Sequence, residues 1–445
     1  MSNAGPPPGA GEDGTPRLRE LRDRLAVSSV ADVVAELGRL DRSDRAVAFR
    51  LLSKGRAVDV LEDLDPSLQR EIVEGLREDA TQELFGALDP DDRAPLLDEL
   101  PAGVASQLLH GLSPHERLKT IALLGYPEDS AGRRMSPEAA SLPSGTTVSD
   151  ALSRLRDVAD QVETIYTVPV LGQGRRVEGV VSLRRLLVSP SEALVDVVMS
   201  RPTTVRATDD SVHAANVVRD GGYVAVPVVD AEDRLLGILT VDDAMRVLEA
   251  SDDEDSARTG GAEPLRRPYL STSVLAIVRS RIVWLFALIV AATLTVGVQS
   301  YFEAELDAVV ALALFIPLLI GTGGNAGSQA ATTVVRAMAV GDVRPADVLR
   351  VVGREVLTGA LLGVALALVG VGPAILVAGP QIGLVLALTV VCVCTLATTV
   401  GSGVPLLARK IGIDPAIVSA PFISTFVDTT GLVLYFSIAK VVLGI

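Results

Sequence analysis

The sequence predicts a multidomain α + α/β membrane protein. Three observations carry that expectation: a leucine period of twelve near the start, a strand–helix unit that occurs twice in the middle, and long apolar stretches after Arg281. The 445 residues are enough for two to four domains of about 100–200 residues each. Hydrophobic residues make up 49% and are unevenly spread. Residues 281–445 hold 8 acidic and 8 basic side chains, out of 55 and 40 in the whole chain, so the net charge of −15 lies entirely in residues 1–280. So acidic a region excludes nucleic acid as a partner, because phosphate binding needs a basic face, and it suits cations. The two cysteines, Cys392 and Cys394, sit in an apolar run, so there is no disulfide framework. His110, His115 and His213 make no zinc-ligand spacing with them.

Residues 1–16 are Gly/Pro-rich and acidic and lack an apolar core, which predicts a flexible tail and not a signal peptide. Over residues 17–125 leucine recurs every twelve positions, at Leu40, Leu52, Leu64, Leu76, Leu88, Leu100, Leu112 and Leu124. Asp65-Pro66, Asp89-Pro90 and Ser113-Pro114 punctuate this at twice the period. Asp or Ser caps a helix start and proline suits its first position. The pattern predicts a helical N domain built as a solenoid of short helices, an architecture often used as a binding surface.

From residue 131 to 249 strands alternate with helices, and the pattern repeats. Pro169 matches Pro227, Gly179 matches Gly237 and Ser182 matches Thr240, each 58 apart. Met135-Ser136-Pro137 echoes Met199-Ser200-Arg201-Pro202. The two units, 131–192 and 193–249, resemble tandem cystathionine-β-synthase (CBS) domains. That family pairs through its sheets and often binds adenine nucleotides. Its fingerprint is Gly, two apolar residues, Ser or Thr, two residues, then Asp for the ribose. The second unit fits from Gly237 to Asp243; the first, from Gly179, ends in Arg185. The resemblance therefore implies ATP only at Thr240 and Asp243. An acidic connecting helix is expected over residues 241–258, with Asp242, Asp243, Glu249, Asp252, Asp253, Glu254 and Asp255.

Spanning about 30 Å of hydrocarbon takes about 20 mostly apolar helical residues. Residues 281–445 supply five such spans: Ile282–Phe302, Ala308–Val340, Val348–Val377, Ile382–Ala408 and Pro415–Ala439. Basic residues favour the inner side. Arg279, Arg281, Arg336, Arg344, Arg350, Arg354, Arg409 and Lys410 gather on one side, against Lys440 on the other. The expected location is the plasma (inner) membrane, multi-pass, with residues 1–280 cytoplasmic and the C-terminus outside. Gly359 and Gly363, four apart, read as helix-packing positions.

Asp428 is the one ionisable residue deep in a span, 13 residues after Pro415 and 12 before Lys440. A carboxylate at that depth costs several kcal/mol unless it faces a partner or a water-filled path, which makes it a functional site by default. Thr425, Thr429, Thr430 and Gly431 surround it with small polar groups. Such oxygen chemistry suits Mg²⁺ or Ca²⁺. The run Gly321-Thr322-Gly323-Gly324-Asn325-Ala326-Gly327-Ser328-Gln329 lies inside an apolar span and lacks the Gly-Lys-Ser/Thr of a phosphate loop. It reads as irregular or closely packed backbone lining a cavity, with Asn325 and Gln329 as pore-side or interhelical groups.

The chain resembles the MgtE magnesium channels and transporters over nearly its whole length. The motifs are Pro317–Asn325 in the second span, Ile413-Asp414-Pro415-Ala416 before the fifth, and Asp428-Thr429-Thr430-Gly431 within it. The resemblance implies a homodimer with Mg²⁺ held by Asp428 on the two-fold axis. It also implies closure by cytosolic Mg²⁺ at Asp59, Asp91, Asp210, Asp243, Glu254, Asp255 and Asp414. Where that family's further acidic sensors are expected, this chain has Pro95, Val212, Gly222, Arg246 and Ser251, and Ala420 replaces a pore asparagine. Closure is then expected to need more Mg²⁺ or to use fewer ions. Competing readings are a broader divalent (Co²⁺, Mn²⁺) or ion-coupled carrier, and a CBS-regulated sensor without flux. An enzyme is not expected, since no paired carboxylates or Ser/His/Asp set appears in the membrane part.

Overall fold

A computed structural model describes residues 14–265, 267–339, 341–412 and 420–444, without the side chains of 14–20 and 271. The described residues fall into two compact units, one running to Ser251 with a return segment ending at Thr272, the other Asp252–Leu265 with Ser273 onward. Most of the expected tail, residues 1–13, lies outside the described residues, as does Asp414.

The first unit opens with nine helices: α1 Gly14–Val27, α2 Val30–Arg39, α3 Arg42–Arg50, α4 Lys54–Glu62, α5 Pro66–Gly75, α6 Glu78–Ala87, α7 Pro90–Glu99, α8 Ala102–Gly111 and α9 Pro114–Leu124. The leucine period is one helix plus its link. Leu40, Leu76, Leu88, Leu100 and Leu112 each close a helix, and all eight leucines lie in or against one core. Each helix from α2 onward packs on the one after next, so the structural repeat is 24 residues. A buried polar side chain marks it. Arg45 Nε donates to the Leu37 carbonyl (2.8 Å), Gln69 Nε2 to Leu61 (2.7 Å) and Arg93 Nε to Phe85 (3.0 Å). Each reaches eight residues back to satisfy a carbonyl near the end of the preceding helix, a group that has no partner inside its own helix. Ser113 caps α9 through the Glu116 amide (3.2 Å). Asp65 and Asp89 occupy the cap positions of α5 and α7 but make no cap bond through their side chains, contrary to the sequence expectation.

Two similar modules follow. They comprise helices α10 Ala131–Arg134, α11 Val148–Val158, α12 Leu183–Val188, α13 Val195–Val198 and α14 Ser211–Gly221. Their strands are β1 Leu142–Pro143, β2 Thr167–Leu171, β3 Val177–Ser182, β4 Val205–Arg206, β5 Ala225–Val229 and β6 Leu235–Thr240. Each module has a three-stranded sheet, one parallel and one antiparallel pair. Pro169 opposes Val180 as Pro227 opposes Ile238, so the repeat holds in register. The Met-Ser echoes have a structural cause, because each lead-in segment pairs with a sheet it does not belong to by sequence order. Ser136 exchanges two backbone hydrogen bonds with Ile238 of β6 (both 2.8 Å), and Ser200 exchanges two with Val180 of β3 (2.9 and 3.1 Å). Glycine is needed beside each crossing: a Cβ at Gly237 would lie 2.5 Å from the Ser136 carbonyl, and one at Gly179 would overlap Met199.

The acidic run lies on one helix, α15 Val241–Thr259. The second unit continues with α16 Val274–Tyr301, α17 Glu303–Ala308, α18 Ile316–Ala339, α19 Val348–Ala378, α20 Pro380–Lys410 and α21 Ala420–Leu443. Five of its helices are long and apolar enough to cross a membrane. α20 is the central one, packed against α18, α19 and α21. Gly359 and Gly363 let α19 lie directly on it, since their Cβ atoms would come within 2.7 Å of Cys394 O and 2.6 Å of Val391 Cα.

Candidate functional site

Two candidate sites emerge: a lone buried carboxylate in the second unit and a cluster of carboxylates in the first. In the membrane unit, the glycine run of α18 is continuous helix. The sequence left irregular and closely packed backbone both open, and close packing is what forms. Gly323, Gly324 and Gly327 turn toward α20 and α21, and a Cβ at Gly324 would meet Ser424 and lie 3.3 Å from Asp428 Oδ1. Asp428 thus rests against bare α18 backbone, on the first half of α21. Its Oδ1 is buried with no hydrogen-bond partner, and among the described residues no basic group pairs with it. A buried carboxylate oxygen left bare is costly, so the position is unusual for a purely structural aspartate.

The neighbouring hydroxyls are already engaged. Thr425 donates to Pro421 O (3.0 Å), Thr429 donates to Thr425 O (3.1 Å) and lies 2.9 Å from the Thr295 hydroxyl. Gly431 is buried, with room for ordinary contact against Val393. Asn325 and Gln329, one turn apart, are exposed on α18.

In the first unit, α4, α7 and the root of α15 bring carboxylates together. Carboxylate oxygens of Glu62, Asp89 and Asp92 lie within 4.8 Å of one another, a spacing that suits a hard cation with oxygen ligands. Beside them, Asp91 is 8% exposed with Oδ1 buried and without a hydrogen-bond partner. Asp243 is equally buried; it accepts from the Thr240 hydroxyl (2.5 Å) and from Arg246 Nη2 (2.6 Å). Both oxygens of the nucleotide-fingerprint aspartate therefore already hold a donor from this chain.

The crowding shows in the protonation equilibria. Burial, then Asp92, Asp89 and Asp59, push Glu62 up to about 8. Burial pushes Asp92 to about 7, with Arg246 opposing and Asp243 adding. Burial and the charge of Asp243 raise Glu163 to about 7 and hold Asp91 well above the carboxylate range. Burial and Glu138 raise Asp89.

Of the sequence-derived gating residues, Asp59, Asp91 and Asp243 belong to this region. Asp210 caps α14 through the His213 amide (2.9 Å) and is exposed. Glu254 pairs with Arg258 on α15, and both Glu254 and Asp255 are half-buried in the second unit. Glu62, Asp89, Asp92 and Glu163 were not singled out by sequence. Asp89-Pro90 looked like a helix start, and Glu62 and Asp92 carried no signal beyond lying one turn from Asp59 and next to Asp91.

The family model for a divalent cation transporter (MgtE) matches residues 316–438, that for the MgtE intracellular N domain residues 28–129, and that for the CBS domain residues 131–192 and 194–250. The chain is 36% identical over 430 residues to the magnesium transporter MgtE of Thermus thermophilus, covering 96% of this chain and 95% of that one. It is 36% identical over 323 residues to the magnesium transporter MgtE of Enterococcus faecalis, covering 72% and 70%. Among solved structures, the cytosolic domain of the Mg²⁺ channel MgtE in complex with ATP aligns at a TM-score of 0.49 and 35% identity, over 52% of this chain and 94% of that one. With its helical N domain, tandem CBS domains and five candidate membrane helices in that order, the chain belongs to the MgtE family of magnesium transporters.

Proposed function

We propose that this chain carries Mg²⁺ across the plasma membrane as a homodimer, through a pore that passes Asp428 of each copy, and that cytosolic Mg²⁺ closes the pore through the acidic soluble region. The observation that supports this most is the bare buried oxygen of Asp428 against the glycine face of α18. One subunit offers one such carboxylate, and a two-fold axis doubles it without new sequence. Mg²⁺ dehydrates reluctantly, so a pair of carboxylates holding a hydrated ion suits it. Asn325 and Gln329, exposed on α18, offer further oxygens along that path. In the cytosol, the carboxylates of Glu62, Asp89, Asp91, Asp92 and Asp243 repel until cations neutralise them. An ion bound more tightly when they are gathered favours the gathered state. Asp210, Glu254, Asp255 and Asp414 are assigned to the same closure through family resemblance. The basic residues flanking the spans favour residues 1–280 in the cytosol and the C-terminus outside. Nucleotide at Thr240 and Asp243 would have to displace the Thr240–Asp243 and Arg246–Asp243 bonds.

The test is ion influx into liposomes, normalised to folded dimer, for Mg²⁺, Ca²⁺, Co²⁺ and Mn²⁺. Asp428→Ala abolishes Mg²⁺ flux, and Asp428→Asn, which keeps the size but not the charge, leaves less than about a tenth. Near-normal flux in Asp428→Asn removes the pore assignment. Comparable Co²⁺ or Mn²⁺ flux marks a broader divalent carrier, and no flux in the native protein at low internal Mg²⁺ marks a sensor.

A further inference from the structure

We propose that the Arg246 guanidinium is the resident cation of the junction between the helical N domain and the second CBS unit, holding them together without a metal ion. Arg246 lies one turn after Asp243 on α15. Its Nη2 donates to Asp243 Oδ1 at 2.6 Å and lies 3.9 Å from Asp92 Oδ1, while Nη1 lies 3.4 Å from Asp63 Oδ1. Asp63 follows α4 and Asp92 sits on α7, so one side chain ties two helices of the N domain to the root of the acidic helix. Two further ion pairs cross between the N domain and the residues after it, Lys119–Glu138 and Arg133–Asp98, while Arg93 and Lys119 both hold Glu116. Arg246 is the counter-charge to Glu62 and Asp92, and Arg93 that to Asp89.

A guanidinium suits the task because its planar fork serves several carboxylates at once and stays charged. Its charge here is held more firmly than usual: burial opposes it, but the hydrogen bond and charge of Asp243, with Asp92 and Asp242, outweigh burial. A metal ion supplies a bridge only in proportion to its concentration and affinity. A tethered cation supplies it always. Docking of the N domain on the second CBS unit thus acquires a part that does not depend on Mg²⁺. That the docked arrangement closes a pore rests on the function proposed above; the bridge itself does not.

Hydrogen exchange of the full chain in detergent tests this, reading amides of α4, α7 and the first turns of α15 in EDTA and across a Mg²⁺ titration. In the native protein these amides stay protected in EDTA. Arg246→Gln lowers their protection by roughly tenfold, the scale of a lost charge-assisted hydrogen bond, and Mg²⁺ restores it. Arg246→Asp lowers it further and depends more steeply on Mg²⁺. Arg246→Lys retains part of it. Amides of β5, in the core of the second CBS unit, stay unchanged in all three and report that the variants fold. Equal protection in EDTA for the native protein, Arg246→Gln and Arg246→Asp overturns the proposal. Absent Mg²⁺ flux with the expected protection pattern would count against the transport reading and leave this one standing.

Discussion

Arg45 and Glu71 form an ion pair of 2.9 Å with both side chains almost wholly buried, at 2% and 5% exposure. Arg45 also donates to the Leu37 and Leu40 carbonyls, at 2.8 and 2.5 Å, and Glu71 also takes Arg267 at 3.2 Å. The pair clamps α3 to α5, two helices that are neighbours in space with α4 between them in sequence. Removing one partner strands a buried charge, which costs about 3–5 kcal/mol. Glu71→Ala should therefore lower the hydrogen-exchange protection of α3 and α5 by more than about a hundredfold, whereas the exposed pair Lys54–Glu83 should tolerate Glu83→Ala with little change.

Gly401 on α20 sits so close to α18 that a Cβ there would overlap the Gly327 carbonyl, a backbone group that cannot turn aside. Overpacking of this kind costs about 1–3 kcal/mol or more. Gly401→Ala should lower the thermal midpoint of the purified protein and the yield of folded material. Gly297→Ala, where nothing lies within 4 Å, should match the native protein in both measurements.

The raised carboxyls of the first unit make its stability depend on pH, with a definite sign. Glu62 sits near 8 in the folded chain, and Asp92 and Glu163 near 7. Their unfolded values are those of ordinary carboxylates, so the contribution is complete below about pH 4 and is lost as pH rises through about 7–8. Glu62 faces Asp92, Asp89 and Asp59, with Arg246 opposing. In metal-free buffer, protection of α4 and α7, corrected for intrinsic exchange, should fall by about tenfold or more between pH 5.5 and 8.5. Saturating Mg²⁺ should flatten that fall, because a cation replaces the lost protons. A pH-independent profile without metal would contradict the crowding described here.

Deleting residues 1–125 removes α1–α9 and leaves the membrane unit whole. Flux should persist, and the cytosolic Mg²⁺ needed for half-closure should rise by about fivefold or more, the usual scale of coupling between a sensor and a gate. Patch recordings with unchanged Mg²⁺ inhibition would separate closure from the N domain.

Much of this architecture was legible because it rests on periods. The twelve-residue leucine spacing, the 58-residue repeat and the five apolar stretches each report a regular element meeting a core or a membrane. Asp428 was legible because a lone charge in an apolar span has few explanations. The acidic cluster was less so. Asp89 has the sequence signature of a cap, and only the folded chain, which brings the end of α4 near the start of α7, shows its carboxylate beside Glu62 and Asp92. Arg246 read as a missing acidic group; the structure shows what a positive charge does in that place. The crossed strands left only the Met-Ser echoes, which name no partner, because Ser136 and Ile238 are 102 positions apart.

Those crossed strands restrict how the N domain can move. The chain leaving α9 is soon tied down: Asp129 O accepts from the Ser211 amide, the Ala131 and Gly132 amides donate to Asp209 and Ala207, and Ser136 is stitched into β6. Lys119–Glu138 and Arg133–Asp98 cross the same link, and Ala94 and Leu123 are buried in the core of the second CBS unit, so moving the N domain would also have to break these contacts. Through Ser136 the link reaches β6, whose last residue, Thr240, is bonded to Asp243 at the foot of the acidic helix. The N domain and the acidic helix are thus linked through β6, so a displacement of one is felt at the foot of the other.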